Sequence, residues 1–214
     1  MTPAKISRKK RGRRMGVSVE KPLLVIVSGP SGVGKSTLVH ALVARRKWLK
    51  FVPGVTTRKP ERRRGGEKHE HVFMTNAAFN KLKAAGGFLE SDRFLQFQYG
   101  TSRTAVERVF KAKKVPVLVL DVQGHKKIRR LEKFSVRSAF ISAGNYFDLR
   151  KRLLKRHPDM NRARLRRRLA EARVAERHAR EYNIRLLNRE GKFDLALARL
   201  VRWMRKSRNI VLTF

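Results

Sequence analysis

Cysteine is absent from the 214-residue chain, which excludes disulfides, thiolate catalysis and zinc sites built on cysteine. Acidic side chains are scarce: 16 Asp and Glu stand against 54 Lys and Arg, a formal net charge of +38. A compact enzyme usually sits within several charges of neutrality. Such an excess draws nucleotides, nucleic acid or anionic surfaces. Arginine-rich residue usage without a polyanion partner reads the same way, because net charge speaks to association and not to fold. No apolar run approaches the roughly 18 residues of a membrane span, and no apolar signal core follows the basic N-terminus. A soluble chain is expected, cytoplasmic or in an organellar matrix. Hydrophobic residues make up 41% of the chain, enough for one substantial core or a core with a small inserted lobe.

What is present in full is a phosphate-binding loop, Gly29-Pro30-Ser31-Gly32-Val33-Gly34-Lys35-Ser36. It follows the apolar run Leu23–Ser28 and leads into Thr37-Leu38-Val39-His40-Ala41-Leu42-Val43. The pattern is G-x-x-x-x-G-K-[ST] in the order its mechanism requires: buried strand, glycine loop, helix. Gly29, Gly32 and Gly34 let successive backbone N–H groups, with those of Ser31 and Val33, line a concavity for phosphate oxygens. The helix N-terminus at Ser36 and Thr37 adds unpaired donors and a positive dipole end. Lys35 is expected to reach the β- and γ-phosphates, and the Ser36 hydroxyl to face Mg²⁺. These residues predict a nucleoside triphosphate site.

Residues 1–21 hold Lys5, Arg8, Lys9, Lys10, Arg11, Arg13 and Arg14, with no acid before Glu20. A like-charge block of this kind is expected to be disordered in isolation; three readings of it stay open, an arm for nucleic acid or another polyanion, an Arg-rich organelle transit segment, and a stretch ahead of a true start at Met15. Beyond it, one domain over residues 22–207 is expected, with a short tail at 208–214. A short extended segment is expected at Phe51–Val55, a strand at His71–Met74 and a helix capped by Thr75 or Asn76 that ends near Ala85. Further extended pieces follow at Phe88–Glu90 and Phe94–Gly100, then a helix from Arg103 to Lys113. Val115–Asp121 is an apolar run ending in an acid, the mark of a buried parallel strand with a carboxylate at its C-terminal edge. Helices at Gln123–Leu131, Tyr146–Arg156 and Arg162–Tyr182 alternate with strands at Val136–Ser142 and Ile184–Asn188. A last helix, Phe193–Lys206, is expected to bury Leu195, Leu197, Leu200, Val201 and Met204. The alternation predicts an α/β fold with a parallel sheet. The helix-poor stretch at about 54–101 reads as an inserted lobe.

Four further groups are informative: Thr57-Arg58, Phe88-Leu89-Glu90, Tyr99-Gly100-Thr101 and Asp121-Val122-Gln123-Gly124. With Gly29–Ser36 they resemble the guanylate kinase family in order and spacing, from about Leu23 to Met204. The resemblance implies a P-loop three-layer fold with a central parallel sheet, a small inserted monophosphate-binding lobe and a helical lid at about 150–168. It implies transfer of the γ-phosphoryl group of MgATP to GMP or dGMP. Arg58 and Arg64 would hold the GMP phosphate, a task suited to planar, always-charged donors. Glu90 would accept from guanine N1–H and the 2-amino group, and Thr101 would bond a guanine edge. The Tyr99 hydroxyl would hold the acceptor phosphate. Asp121 would order the charge between donor and acceptor. Arg152, Arg156 and Arg168 resemble lid arginines that neutralise charge on the transferred group. Asn188 resembles the segment beside the adenine.

The acceptor side departs from the family pattern. Gly54 stands where a serine is usual, Glu61 to Arg63 intervene before Arg64, His71 replaces a tyrosine, and Val119 replaces the first carboxylate of an Asp-x-Asp pair. His71 can still donate to phosphate. Three readings stay open: a guanylate kinase with an altered acceptor site, a kinase for a different phosphorylated acceptor, and a basic nucleic-acid-binding or scaffolding protein with little activity. Intact Lys35 and Ser36 favour catalysis.

Overall fold

The computed structural model describes residues 21–59, 70–94 and 96–205. Its centre is strand β1 (Leu23–Ser28), every residue of which is buried. Because strand side chains alternate, β1 feeds two cores. Leu23, Val25 and Val27 enter one, and Leu24 and Ile26 enter the other. That is why the run reads as continuously apolar, with no polar face.

Five parallel strands form the main sheet in the order β2 (Leu49–Phe51), β7 (Val115–Val119), β1, β8 (Ser135–Ser142), β9 (Ile184–Leu187). One face is covered by α1 (Lys35–Arg45), α5 (Tyr146–Arg156), α6 (Arg162–Arg177) and α7 (Phe193–Arg205), through Leu38, Leu42, Leu153, Leu165 and Leu200 among others. The other is covered by α3 (Arg103–Lys111) and α4 (Val122–Arg130), through Val106, Val109 and Ile128. Each fully buried Leu or Ile contributes about 1.5–3 kcal/mol relative to exposure. The result is the three-layer α/β arrangement expected from the alternation of elements.

A second sheet, β4 (His71–Phe73), β3 (Gly54–Thr56), β6 (Phe97–Ser102), β5 (Phe88–Phe94), carries α2 (Asn76–Ala84). Phe79 of α2 stacks on Phe88 with ring centroids 4.5 Å apart and, with Val55, makes a small core of its own. Helix starts follow side-chain caps: Thr75, Ser102, Asp121, Asn145 and Asn161 each accept from the backbone N–H three residues on. Such a cap contributes about 1 kcal/mol.

Three expectations are corrected. The extended segment at Phe51–Val55 is two strands in different sheets, with Val52 and Pro53 making the crossing. The basic helix stops at Arg177 instead of Tyr182, and a 3₁₀ turn at Ala179–Glu181 follows. There the Glu181 carboxylate is held by His178 Nδ1 at 2.6 Å and Lys126 at 3.4 Å, which tightens the last turn. Leu195 is 50% exposed; Ala196 takes its place in the buried row with Leu197, Leu200 and Met204.

Candidate nucleotide site

The phosphate loop leaves β1 at Ser28 and enters α1 at Lys35. Gly29 and Gly34 have positive φ angles of 141° and 88°. A side chain at Gly29 would collide with the Ile141 carbonyl, and one at Gly34 would come 2.7 Å from Asn188 Nδ2. Glycine is therefore demanded here by both backbone conformation and space. Val33 is fully buried, so it anchors the loop in the core while its neighbours stay accessible. Asn188 is also buried and donates to the Val33 carbonyl at 2.8 Å. The amide of Asn188 is thus committed to holding the loop from below. Ser31 and Thr37 are exposed on the loop rim, and Gly32 and Ser36 are half-buried.

The Lys35 amine arches back over the loop and donates to the carbonyls of Gly29 and Pro30 at 2.8 and 2.9 Å. Desolvation pulls its pKa down to about 8, and the positive charge of Arg156 adds to the effect; Asp121 and Glu70 oppose it. Arg156 is thus electrostatically coupled to the phosphate loop from α5, and Arg152 precedes it by one turn on the same face. From α6, Arg168 Nη1 donates to Ser31 Oγ at 2.7 Å. Two of the three expected lid arginines therefore act on the loop, one through charge and one through a hydrogen bond.

On the acceptor side, Glu90 is 9% exposed and its Oε1 accepts from Thr101 Oγ1 at 2.7 Å. Burial pushes its carboxyl above the ordinary range; Thr101 opposes this, and the Asp121 charge adds to it. Asp121 caps α4 by accepting from Gly124 N–H at 2.7 Å. A Cβ built on Gly124 would lie 3.4 Å from both Asp121 Oδ1 and Glu90 Oε2, so the two carboxylates flank that glycine. Asp121 also acts on Lys35. The carboxylate thus stands between the phosphate loop and Glu90.

Arg58 sits on a loop fixed by two threonines. Thr56 Oγ1 donates to the Gln98 carbonyl at 2.9 Å and accepts from Arg58 N–H at 3.1 Å, while Thr57 Oγ1 accepts from Gln98 N–H at 2.9 Å. That loop borders a cleft of about 960 Å³ whose far wall is Asn161, Ala163, Arg164 and Arg167 of α6 and its cap. Tyr99 lies on β6 opposite Thr56, and its ring meets His71 edge-on at 6.3 Å. Arg64 lies outside the described residues. Val119 is half-buried against the core, in keeping with its apolar character.

Sequence reasoning missed Lys127. Its amine binds the Ser91 carbonyl at 2.7 Å and Asp92 at 2.9 Å, pinning β5 beside Glu90, and its charge favours the ionised form of Glu90. Only the packing of α4 on β5 reveals this; a lysine three residues after Gly124 carries no local signal. His125, likewise unnoticed, is fully buried and stacked on Tyr182 at 4.1 Å.

A lysine-bearing phosphate loop, a small sheet presenting a buried carboxylate, and an arginine-rich helical pair reaching back to the loop are the parts of a P-loop kinase. The guanylate kinase family model matches residues 21–207. A guanylate kinase of Nostoc sp. is 36% identical over 83% of this chain and 88% of its own length. Those of Coxiella burnetii and Methylococcus capsulatus are 35% and 37% identical, over 86% and 83% of this chain and 86% and 85% of theirs. The chain belongs to the guanylate kinase family. The crystal structure of guanylate kinase from Anaplasma phagocytophilum shares its fold, with a TM-score of 0.68 over 88% of this chain and 87% of that one, at 21% identity.

Proposed function

We propose that the chain transfers the γ-phosphoryl group of ATP to the phosphate of GMP or dGMP, giving ADP and the diphosphate. The observation that carries the reading is the placement of Asp121 near both Lys35 and Glu90, two groups we read as the charged ends of two facing nucleotide sites. ATP phosphates bind the amides of Gly29–Ser36 and the Lys35 amine. An oxygen of the GMP phosphate attacks the γ-phosphorus, and the bond to the β-phosphate oxygen breaks. Lys35, Arg156 and Arg168 stabilise the charge spread over the transferred group. Arg58, Arg64, His71 and Tyr99 hold the acceptor phosphate, and Glu90 with Thr101 reads the guanine edge.

Among the described residues no three His, Asp or Glu side chains converge to cage a metal. Mg²⁺ binds few protein oxygens and keeps phosphate and water ligands, and the half-buried Ser36 hydroxyl in the first turn of α1 is an oxygen donor of that kind. Ser36 would hold it, and it would neutralise phosphate charge. Closure of the lid at about 150–168 over the loop excludes water from the transfer. No helix among the described residues is long and apolar enough to cross a membrane. The compartment we propose is the cytoplasm or an organellar matrix. The polyanion partner assigned to residues 1–21 falls almost wholly outside the described residues and rests on their charge alone.

The test is ADP release across a panel of nucleoside monophosphates, with and without Mg²⁺. GMP and dGMP should be the preferred acceptors. Glu90→Gln should raise the KM for GMP about 10- to 150-fold, the cost of about 1.5–3 kcal/mol for a charged hydrogen bond, and leave the KM for ATP near its original value. Equal turnover of AMP and GMP by the unaltered enzyme would remove the guanine assignment and leave the kinase chemistry standing.

A further inference from the structure

The nucleotide site lies at the C-terminal ends of the parallel strands; a second concentration of charge lies at their other ends. β1, β2, β7 and β8 start on one rung, where Leu23 pairs with Ser135 and Leu49 with Val115. Helices running back to this rung finish on cations: Arg45 closes α1, Lys111 α3, Arg130 α4 and Arg205 α7. A positive residue at a helix C-terminus complements the helix dipole, so those four have a structural reason to be there. The turns that follow have none, yet they add Arg46, Lys47, Lys113, Lys114 and Lys133 against the single acid Glu132.

Several acids elsewhere in the domain are already taken up. Lys127 pairs with Asp92, Lys126 with Glu181, Arg185 with Glu176 and Lys151 with Glu190. Among the described residues, none of the helix-terminal and turn cations named above joins an ion pair. Within the face they form, Arg45, Arg46, Lys47, Trp48 and Arg205 line a hollow of about 390 Å³. Arg46 Nε is buried and has no hydrogen-bond partner among the described residues; its Nη1 reaches the Arg45 carbonyl at 3.4 Å. Trp203 is already faced by Arg137 at 5.8 Å, whereas Trp48 is half-buried at the hollow.

We propose that this face docks single-stranded nucleic acid, with phosphates on the guanidinium and ammonium groups and an unpaired base against Trp48. Cations in a concave groove with an aromatic side chain match how sequence-tolerant single-strand binders work. A duplex has no free base face to offer the indole. A lipid surface would be met by exposed apolar side chains, and the large ones among the described residues, such as Phe147, Val174 and Phe94, lie on other elements.

The test uses the full chain and fluorescence polarisation with a short labelled oligothymidylate and the matching oligouridylate, between about 50 and 200 mM salt. Arg45, Lys47 and Arg205 are all exposed, so Arg45→Gln/Lys47→Gln/Arg205→Gln should stay folded, with a thermal melt lowered by only a few degrees for the two lost helix-terminal charges. That variant should weaken binding at least 10-fold and flatten the log–log salt slope by about 2, at roughly 0.7 per phosphate contact on a single strand. Trp48→Leu, which keeps apolar bulk against the core, should lose about 5- to 150-fold in oligonucleotide affinity and nothing in heparin affinity. An unchanged slope in the triple variant would overturn the proposal, because residues outside the face would then carry the binding. So would absence of binding at low salt, or wild-type oligonucleotide affinity in Trp48→Leu. Tighter binding to phosphatidylglycerol vesicles than to either oligonucleotide would make the face a membrane site and overturn it as well.

Discussion

Raising the pH through 8 should discharge Lys35 in the ligand-free enzyme, and ATP should put the proton back. The amine's pKa lies at about 8 against an ordinary 10.5, because burial strips its hydration and Arg156 repels its charge. A triphosphate on the loop reverses the sign of that local field. If binding restores the ordinary value, the gain is worth about 3 kcal/mol of preference for the charged form. At pH 8 half the free enzyme holds a neutral amine, so each ATP bound should take up about 0.5 proton, rising to about 0.9 at pH 9 and falling to about 0.1 at pH 7. Titration calorimetry in buffers of different ionisation enthalpy reads this number directly, and Lys35→Met should abolish it. The same shift acts on the ligand-free fold: the native state binds fewer protons than the unfolded chain between about 8 and 10.5, so this residue's contribution to stability rises with pH across that window. Zero uptake near pH 8.5 in the wild type would refute the desolvation argument. Uptake that survives in Lys35→Met would assign the proton to another group.

Arg168→Ala removes the bond from α6 to Ser31 and should lower kcat by about 10²–10³, the loss measured when one transition-state donor is removed, with little change in melting temperature because the side chain is half-exposed. Steady-state kinetics separates the kcat effect from KM. His125 is buried and neutral, its pKa pushed down to about 4 first by burial and then by Arg129. The native state therefore binds fewer protons than the unfolded chain between about 4 and 6.5, and stability should fall by up to about 3 kcal/mol as pH drops through that window. His125→Leu should remove this part of the acid sensitivity in denaturant titrations at pH about 5 and 7; an unaltered pH dependence in the variant would place the acid sensitivity elsewhere.

The donor half was legible because its chemistry is local. Gly29 to Ser36 must be contiguous for backbone amides to converge, and β1 must be apolar on both faces to hold them in mid-sheet. The span Tyr146–Arg156 was also readable to the residue, since Asn145 caps it and His157-Pro158 ends it. The helix from Arg162 was overextended because Ala179, Arg180 and Glu181 are adequate helix formers. What stops it is tertiary: Asn183 Oδ1 accepts from Ser138 N–H at 2.7 Å and turns the chain into β9. Leu195 was misplaced because a periodic apolar set does not say which edge of the stripe faces solvent. The hold of Asn188 on the loop, and Lys127 altogether, were opaque for another reason. Their partners, Val33 and Ser91, are 155 and 36 residues away in sequence.

The departures from the family pattern at positions 54 and 71 are, structurally, one departure. β3 and β4 pair in parallel with Gly54 opposite His71. A Cβ built at 54 would come 3.3 Å from His71 Nδ1, closer than ordinary van der Waals contact. Glycine at 54 therefore makes the room that the imidazole occupies, and a serine there would press on the ring unless His71 moved. The ring in turn meets Tyr99 and Phe73 edge-on at 6.3 and 6.1 Å, so it is held among aromatic neighbours instead of swinging in solvent. A serine hydroxyl and a tyrosine hydroxyl are neutral donors, whereas an imidazole gains charge as it protonates. The paired change therefore sets an imidazole, with two ring nitrogens, beside Tyr99 where the family pattern has two hydroxyls.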